Sequence, residues 1–316
     1  MSAPSEGDGP APASEGPSEG AGERESARPP WSEFKRALDR AGFRPSKRLG
    51  QNFLLDDNMA RSIARDAEVE AGDFVLEVGP GCGFLSVHLA LLGARLLAVE
   101  IDERLADVAE SFLQPFPETR ILRGDALAGK HRLWPELEQA LPREEPWSLV
   151  SNLPYSISAP LLVLLARHGN PPRRMTVLVQ KEVGERLAAG PGTSAWGPLS
   201  ARLQLDYGVE LVRTVSAKLF WPRPKVESAV VRMDRRTDRP AGAGRAAFDH
   251  LVTAIFQRRR KTLGAALGAE LKSRETALGL LAAADLDPGR RGETLSVSEL
   301  EALAAQAAWG AAVADL

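Results

Sequence analysis

The sequence predicts an α/β fold: a parallel, doubly wound sheet followed by a small C-terminal helical domain. Short apolar runs of buried-strand type alternate with helical stretches from Asp57 to Ala188. Four of those runs end in a glycine turn or a polar residue, at Gly79, Glu100, Asp125 and Asn152, and open α/β sheets bind ligands beyond the carboxyl ends of their strands. From about residue 240 the strand signal stops and four helical segments follow.

The elements follow in order. Residues 1–30 are Ser, Gly, Pro, Ala and Glu with almost nothing apolar to bury, so a disordered tail is expected. Trp31, Phe34, Leu38 and Ala41 fall at helical spacing and Gly42 ends that helix. A second helix is expected from Asp57 to about Ala67. Strands are expected at Phe74–Val78, Ala94–Val99, Thr119–Arg123, Trp147–Val150 and Met175–Gln180. Helices are expected between them at Phe84–Leu92, Arg104–Phe112 and Pro160–Arg167, with a further one at Lys181–Ala188. Gly208–Val215 and Val226–Met233 read as an antiparallel pair closing the sheet. Residues 235–246 read as a linker, and helices follow at Phe248–Phe256, Leu263–Leu271, Thr276–Ala284 and Val297–Ala307. The expected domains are therefore 31–238 and 239–316, after the tail at 1–30.

The net charge of −2 conceals an asymmetry. Residues 1–30 carry six acids and two bases, whereas 213–262 carry 13 Lys and Arg against four Asp and Glu. Such a basic stretch can neutralise phosphates and suits nucleic-acid contact; a solvated face is the plainer reading. No apolar run reaches the roughly 20 residues of a membrane span, and no secretory signal is evident at the start. The single cysteine, Cys82, excludes an internal disulfide and suits a reducing cytoplasm. Four histidines lie far apart, so no metal is expected. Cys82 lacks a neighbouring base and reads as a small apolar filler.

Glu77-Val78-Gly79-Pro80-Gly81-Cys82-Gly83 is a turn that lets backbone approach a nucleotide, and Glu100 follows 21 residues after Gly79, the separation at which an acid commonly meets ribose hydroxyls. By itself this fits nicotinamide dinucleotide or S-adenosylmethionine. Two details favour the latter. Phe84 stands where a dinucleotide fingerprint has its third glycine, and a third strand ends in Asp125-Ala126, which can pair with an adenine edge.

Asn152-Leu153-Pro154-Tyr155 supplies an amide oxygen, a backbone carbonyl and an aromatic ring in one short turn. That set suits a base with an exocyclic amine: Asn152 and the Pro154 carbonyl accept its hydrogens and Tyr155 stacks on its face. Phe220 or Trp221 could cover the other face. A plain strand-to-loop turn with a core tyrosine is the alternative.

Further segments complete a pattern: Lys47-Arg48-Leu49-Gly50-Gln51-Asn52-Phe53-Leu54, Val99-Glu100-Ile101-Asp102, Gly124-Asp125-Ala126 and Gln180-Lys181-Glu182-Val183. Phe220-x-Pro222-x-Pro224-Lys225-Val226-x-Ser228-Ala229-Val230-Val231 and Phe256-x-x-Arg259-Arg260-Lys261-Thr262-Leu263 follow. With these in order from about residue 44 to 305, the chain resembles the KsgA/RsmA family, small-subunit ribosomal RNA adenine N6,N6-dimethyltransferases.

The resemblance implies a Rossmann-like S-adenosylmethionine-dependent methyltransferase sheet. It also implies dimethylation of two adjacent adenines in a 16S rRNA hairpin loop, on an immature 30S subunit. The catalytic residues would be Asn152, Leu153, Pro154, Tyr155 and Phe220. Gln51, Asn52, Leu54, Glu77, Gly79, Gly81, Glu100, Ile101, Asp125, Ala126 and Asn152 would hold the cofactor. Lys47, Arg48, Arg223, Lys225, Arg258, Arg259, Arg260 and Lys261 would hold RNA. A cytoplasmic monomer without metal is expected. Ser151 departs from relatives that carry Asn before this turn. Two other readings stay open: a large-subunit adenine methyltransferase of the macrolide-resistance type, and a ribosome-assembly factor without catalysis. A nicotinamide-dependent dehydrogenase is the third and most distant.

Overall fold

The computed structural model describes residues 28–46, 50–129, 131–238, 244–306 and 309–310. The first two helices, α1 (Trp31–Arg40) and α2 (Asp57–Asp66), flank a two-residue strand, β1 (Phe53–Leu54). Then strands and helices alternate: β2 (Phe74–Val78), α3 (Phe84–Leu91), β3 (Arg95–Glu100), α4 (Glu103–Leu113), β4 (Thr119–Arg123), α5 (Pro135–Ala140) and β5 (Trp147–Asn152). They continue with α6 (Ser158–Ala166), β6 (Arg174–Gln180), α7 (Lys181–Ala188), α8 (Pro198–Gln204), β7 (Tyr207–Val215), β8 (Phe220–Trp221) and β9 (Ser228–Arg235). Helices α9 (Arg245–Gln257), α10 (Leu263–Glu270), α11 (Arg274–Ala283) and α12 (Val297–Ala304) end the described fold.

Seven strands form one sheet in the order β4-β3-β2-β5-β6-β9-β7. The first five are parallel, and β9 joins β6 and β7 antiparallel. The chain builds outward from β2 to β4, then returns to lay β5 against the other side of β2. That reversal opens a crevice between the carboxyl ends of β2 and β5. β5 extends two residues beyond the expected end: Ser151 pairs with Val177 and Asn152 with Leu178. Asn152 is thus the last residue of a central strand, not a loop residue.

Two apolar clusters cover the two faces. One joins α1, α2 and α3 to the sheet through Phe34, Ile63, Leu89 and Val150; the other joins α6 through Leu161, Leu165, Leu149 and Val177. The third cluster holds the C-terminal helices together, and it draws Trp196, Ala201 and Leu205 from before residue 239 into the same core as Leu251, Leu267 and Leu300.

Part of the stretch expected to be tail is placed against the fold. Arg28 is 9% exposed at its side chain, its guanidinium lies 4.3 Å from the centre of the Phe84 ring, and it pairs with Asp57. The remainder of that expectation, residues 1–27, lies outside the described residues. No helix among the described residues is long and apolar enough to cross a membrane.

Candidate active site

The crevice is lined from the ends of four adjacent parallel strands, β4, β3, β2 and β5. At the end of β2 the backbone turns sharply. Gly79 has φ 73°, and a Cβ there would lie 3.0 Å from the Pro154 ring. Gly81 has φ 60°, and a Cβ there would come within 2.8 Å of the Phe53 ring. Only glycine admits both the left-handed backbone and that closeness. The turn therefore wraps tightly against the β5 turn on one side and β1 on the other. Cys82 is buried, and burial pushes its thiol up to about 12, as expected of a filler.

At the end of β3, Glu100 reaches back to this turn. Its Oε2 accepts from the Gly81 N–H at 3.0 Å and its Oε1 from the Asp102 N–H at 2.9 Å. Burial nevertheless pushes its carboxyl up to about 7, against the pull of those amides. Glu77 is more deeply enclosed. Burial pushes it up to about 8; the Ser86 hydroxyl, donating at 2.6 Å, opposes that, and Glu100 adds to it. At the end of β4, Asp125 is exposed and its Oδ1 accepts from the Leu127 N–H at 2.9 Å. Ile101 is 49% exposed on the rim, and Ala126 is buried in the wall.

The β5 end is held by contacts from distant segments. The Ser151 hydroxyl, fully buried, donates to the Val78 carbonyl at 2.6 Å and ties β5 to β2 just below the glycine turn. The Asn152 Nδ2 donates to the Asn52 backbone carbonyl at 3.0 Å. This sets the amide's polarity: with the nitrogen directed at Asn52, Oδ1 is the acceptor left for a ligand. The Pro154 carbonyl accepts from the Ile157 N–H at 3.2 Å and has a second lone pair. The segment carrying Asn52 is itself pinned, because Gln51 Oε1 accepts from the Ser46 N–H at 2.7 Å and Asn52 Nδ2 donates to the Gly50 carbonyl at 3.0 Å.

One cavity gathers Gln51, Asn52, Leu54, Glu77, Gly79, Gly81, Glu100, Ile101, Asp125, Ala126, Asn152, Leu153, Pro154 and Tyr155. These come from sequence positions a hundred residues apart. Phe53, Phe84, Ser156 and Ile157 also line it and were missed by sequence reasoning, since as apolar or turn residues they carry no chemical signature.

Phe220 is not among the lining residues. It is 3% exposed, pairs with Leu54 in the β1–β8 ribbon and belongs to the core. Its neighbour Trp221 packs on Phe53 at 5.9 Å between ring centres. Arg223 and Lys225 are exposed on the loop between β8 and β9. The run Arg258–Lys261 is a turn after α9 and is divided in its use. Arg258 pairs with Glu270 at 2.9 Å, and Arg259 donates to the Thr193 and Ser194 carbonyls and lies 3.5 Å from Glu293. Arg260 and Lys261 are exposed. Lys47 and Arg48 lie outside the described residues.

Residues 42–302 match the model of the family described as ribosomal RNA adenine dimethylase. The chain belongs to this family. Among its relatives is a ribosomal RNA small subunit methyltransferase A of Leifsonia xyli, 41% identical over 282 residues, covering 87% of this chain and 97% of the relative. Another with the same name, from Acidothermus cellulolyticus, is 41% identical over 266 residues and covers 84% of this chain and 89% of the relative. Among solved structures, a dimethyladenosine transferase from Plasmodium falciparum superposes with TM-score 0.67 at 24% identity, covering 79% of this chain and 95% of its own. The 23S rRNA methyltransferase ErmE superposes with TM-score 0.61 at 26% identity, over 80% of this chain and 98% of its own. The ribosomal RNA adenine dimethylase family therefore gives this chain its function at that level: methyl transfer to ribosomal RNA adenine on a Rossmann-like, S-adenosylmethionine-dependent methyltransferase fold.

Proposed function

We propose that this chain dimethylates N6 of two adjacent adenines in a 16S rRNA hairpin loop, within an immature 30S subunit. The observation that carries the chemistry is the Asn152 amide, held by the Asn52 carbonyl with its oxygen available to an amine.

The crevice suits S-adenosylmethionine. Glu100 offers a carboxylate already aligned by two backbone amides, for the ribose hydroxyls. Asp125 and the Ala126 amide would take the adenine edge. Gly79 and Gly81 let backbone approach the methionine portion, beside Gln51, Asn52, Leu54, Glu77 and Ile101. When bound, the cofactor supplies an electrophilic methyl on a sulfonium.

The chain's own residues then prepare the acceptor. An exocyclic adenine amine is a weak nucleophile because its lone pair is delocalised into the ring. Asn152 Oδ1 and the Pro154 carbonyl would accept its two hydrogens, drawing the nitrogen toward tetrahedral geometry with the lone pair free. Tyr155 would stack on the base, and Leu153, wholly buried, anchors the turn beneath it. Fixed dipoles and positioning provide the catalysis, and the displaced proton leaves to water. The base must come from a loop or be unstacked, because a duplex hides it.

RNA would be held by the exposed cations Arg223, Lys225, Arg260 and Lys261, with the C-terminal helices as the RNA-holding unit. The small-subunit choice rests on relatives: 41% identity to a small-subunit enzyme against 26% to a 23S one. The test is methylation of purified 30S and 50S particles with labelled cofactor, read by mass spectrometry. Label in N6,N6-dimethyladenine of 16S rRNA is expected. Label in 23S rRNA would assign the large-subunit activity instead, and none in either would leave a binding factor.

A further inference from the structure

Tyr155 is held at both ends. Its carbonyl accepts from the Ser158 hydroxyl at 3.3 Å, which fixes the backbone. Its phenolic oxygen lies 3.1 Å from the Ser228 hydroxyl, a contact spanning 73 residues. Ser228 is the first residue of β9 and is fully buried. Pairing with Gln180 on β6 and Val215 on β7 fixes it from both sides. Burial raises the Tyr155 phenol, so it stays protonated and able to donate.

Stacking alone needs no hydroxyl, since phenylalanine offers the same face. A ring hinged only at Cβ has freedom about two torsions, whereas one bonded at its far end to a buried strand has little. The hydroxyl therefore acts on orientation, not on contact area.

We infer that Ser228 is a positioning residue: through the Tyr155 hydroxyl it fixes the plane on which the target adenine stacks, and with it the angle at which N6 meets the Asn152 amide. This rests on the reading of Tyr155 as the stacking ring. A misaligned base binds nearly as well but reacts more slowly, so the effect falls on kcat.

The test is a double-mutant cycle of Tyr155→Phe and Ser228→Ala, assayed by methyl transfer to 30S particles, with Asn152→Ala alongside. Each single variant is expected to lower kcat about three- to tenfold, the worth of one hydrogen bond. KM for the particle and affinity for S-adenosylhomocysteine are expected to stay within about twofold. The double variant should be no slower than either single one. Tyr155→Phe removes one oxygen and leaves the packing intact, so its effect does not depend on how Ser228→Ala folds. Wild-type kcat in Tyr155→Phe, or a further loss on adding Ser228→Ala to it, overturns the positioning role. If those results come with Asn152→Ala inactive, only this inference fails; if Asn152→Ala keeps full transfer, the reading of the pocket fails with it.

Discussion

The turn at Asn152–Tyr155 and the basic turn at Arg258–Lys261 were both marked by residue type, yet the fold treats them differently. In the first, with Ser151 just before it, the side chains are held by distant segments: Asn52 for the Asn152 nitrogen, Val78 for Ser151, Ser228 for Tyr155. In the second, Arg258 and Arg259 face carboxylates and carbonyls of their own chain, while Arg260 and Lys261 stand in solvent. The difference separates two tasks. Chemistry on a weak nucleophile needs dipoles fixed before the substrate arrives. Attraction of a polyanion needs only cations within reach, and exposed charges are screened and interchangeable.

That contrast can be broken most forcefully at Asn152. Asn152→Ala should lower methyl transfer by about two to three orders of magnitude, the effect of losing one fixed transition-state dipole. Binding to 30S particles should be nearly unchanged, as a filter-binding titration would reveal. A variant that loses binding and transfer together would erase the distinction.

A smaller effect is expected from pH at the cofactor wall. With its carboxyl raised to about 7, Glu100 becomes protonated as pH falls through that value. An acceptor for ribose hydroxyls then becomes a donor. Affinity for S-adenosylhomocysteine should therefore be full above about pH 8 and drop about tenfold by about pH 6. Isothermal titration would follow it. Glu100→Gln should bind more weakly and lose the step near pH 7, leaving only the contribution of Glu77, whose carboxyl burial raises to about 8.

The smallest effects belong to the basic turn. Arg260→Ala with Lys261→Ala should weaken RNA binding a few-fold and flatten its salt dependence by about 1.4 to 1.8 in log–log slope, one phosphate for each cation. Arg258→Ala should leave that slope in place and lower the unfolding midpoint instead, because it strips a partner from Glu270. Equal salt slopes for the two variants would contradict the division.

The sequence exposed the parallel sheet because its strands are buried apolar runs ended by turns, and that pattern is local. It exposed Glu100, Asp125 and Asn152 because strand order alone brings their ends together. The β1–β8 ribbon stayed hidden, since two residues show no periodicity, and the short helices α5 and α8 did so for the same reason. The partners of Asn152 and Tyr155 were hidden because they lie 100 and 73 residues away and one of them is a backbone carbonyl. The burial of Phe220 was hidden for the converse reason: an aromatic beside a proline-rich loop looks exposed until its strand pairs with Phe53–Leu54 and turns it into the core.

The most direct measurement is a crystal structure with S-adenosylhomocysteine and an adenine-bearing RNA hairpin. The target N6 should lie within about 3.2 Å of Asn152 Oδ1 and of the Pro154 carbonyl, with Nδ2 still on the Asn52 carbonyl. An adenine bound elsewhere, or an amide reversed so that Nδ2 faces N6, would contradict the mechanism.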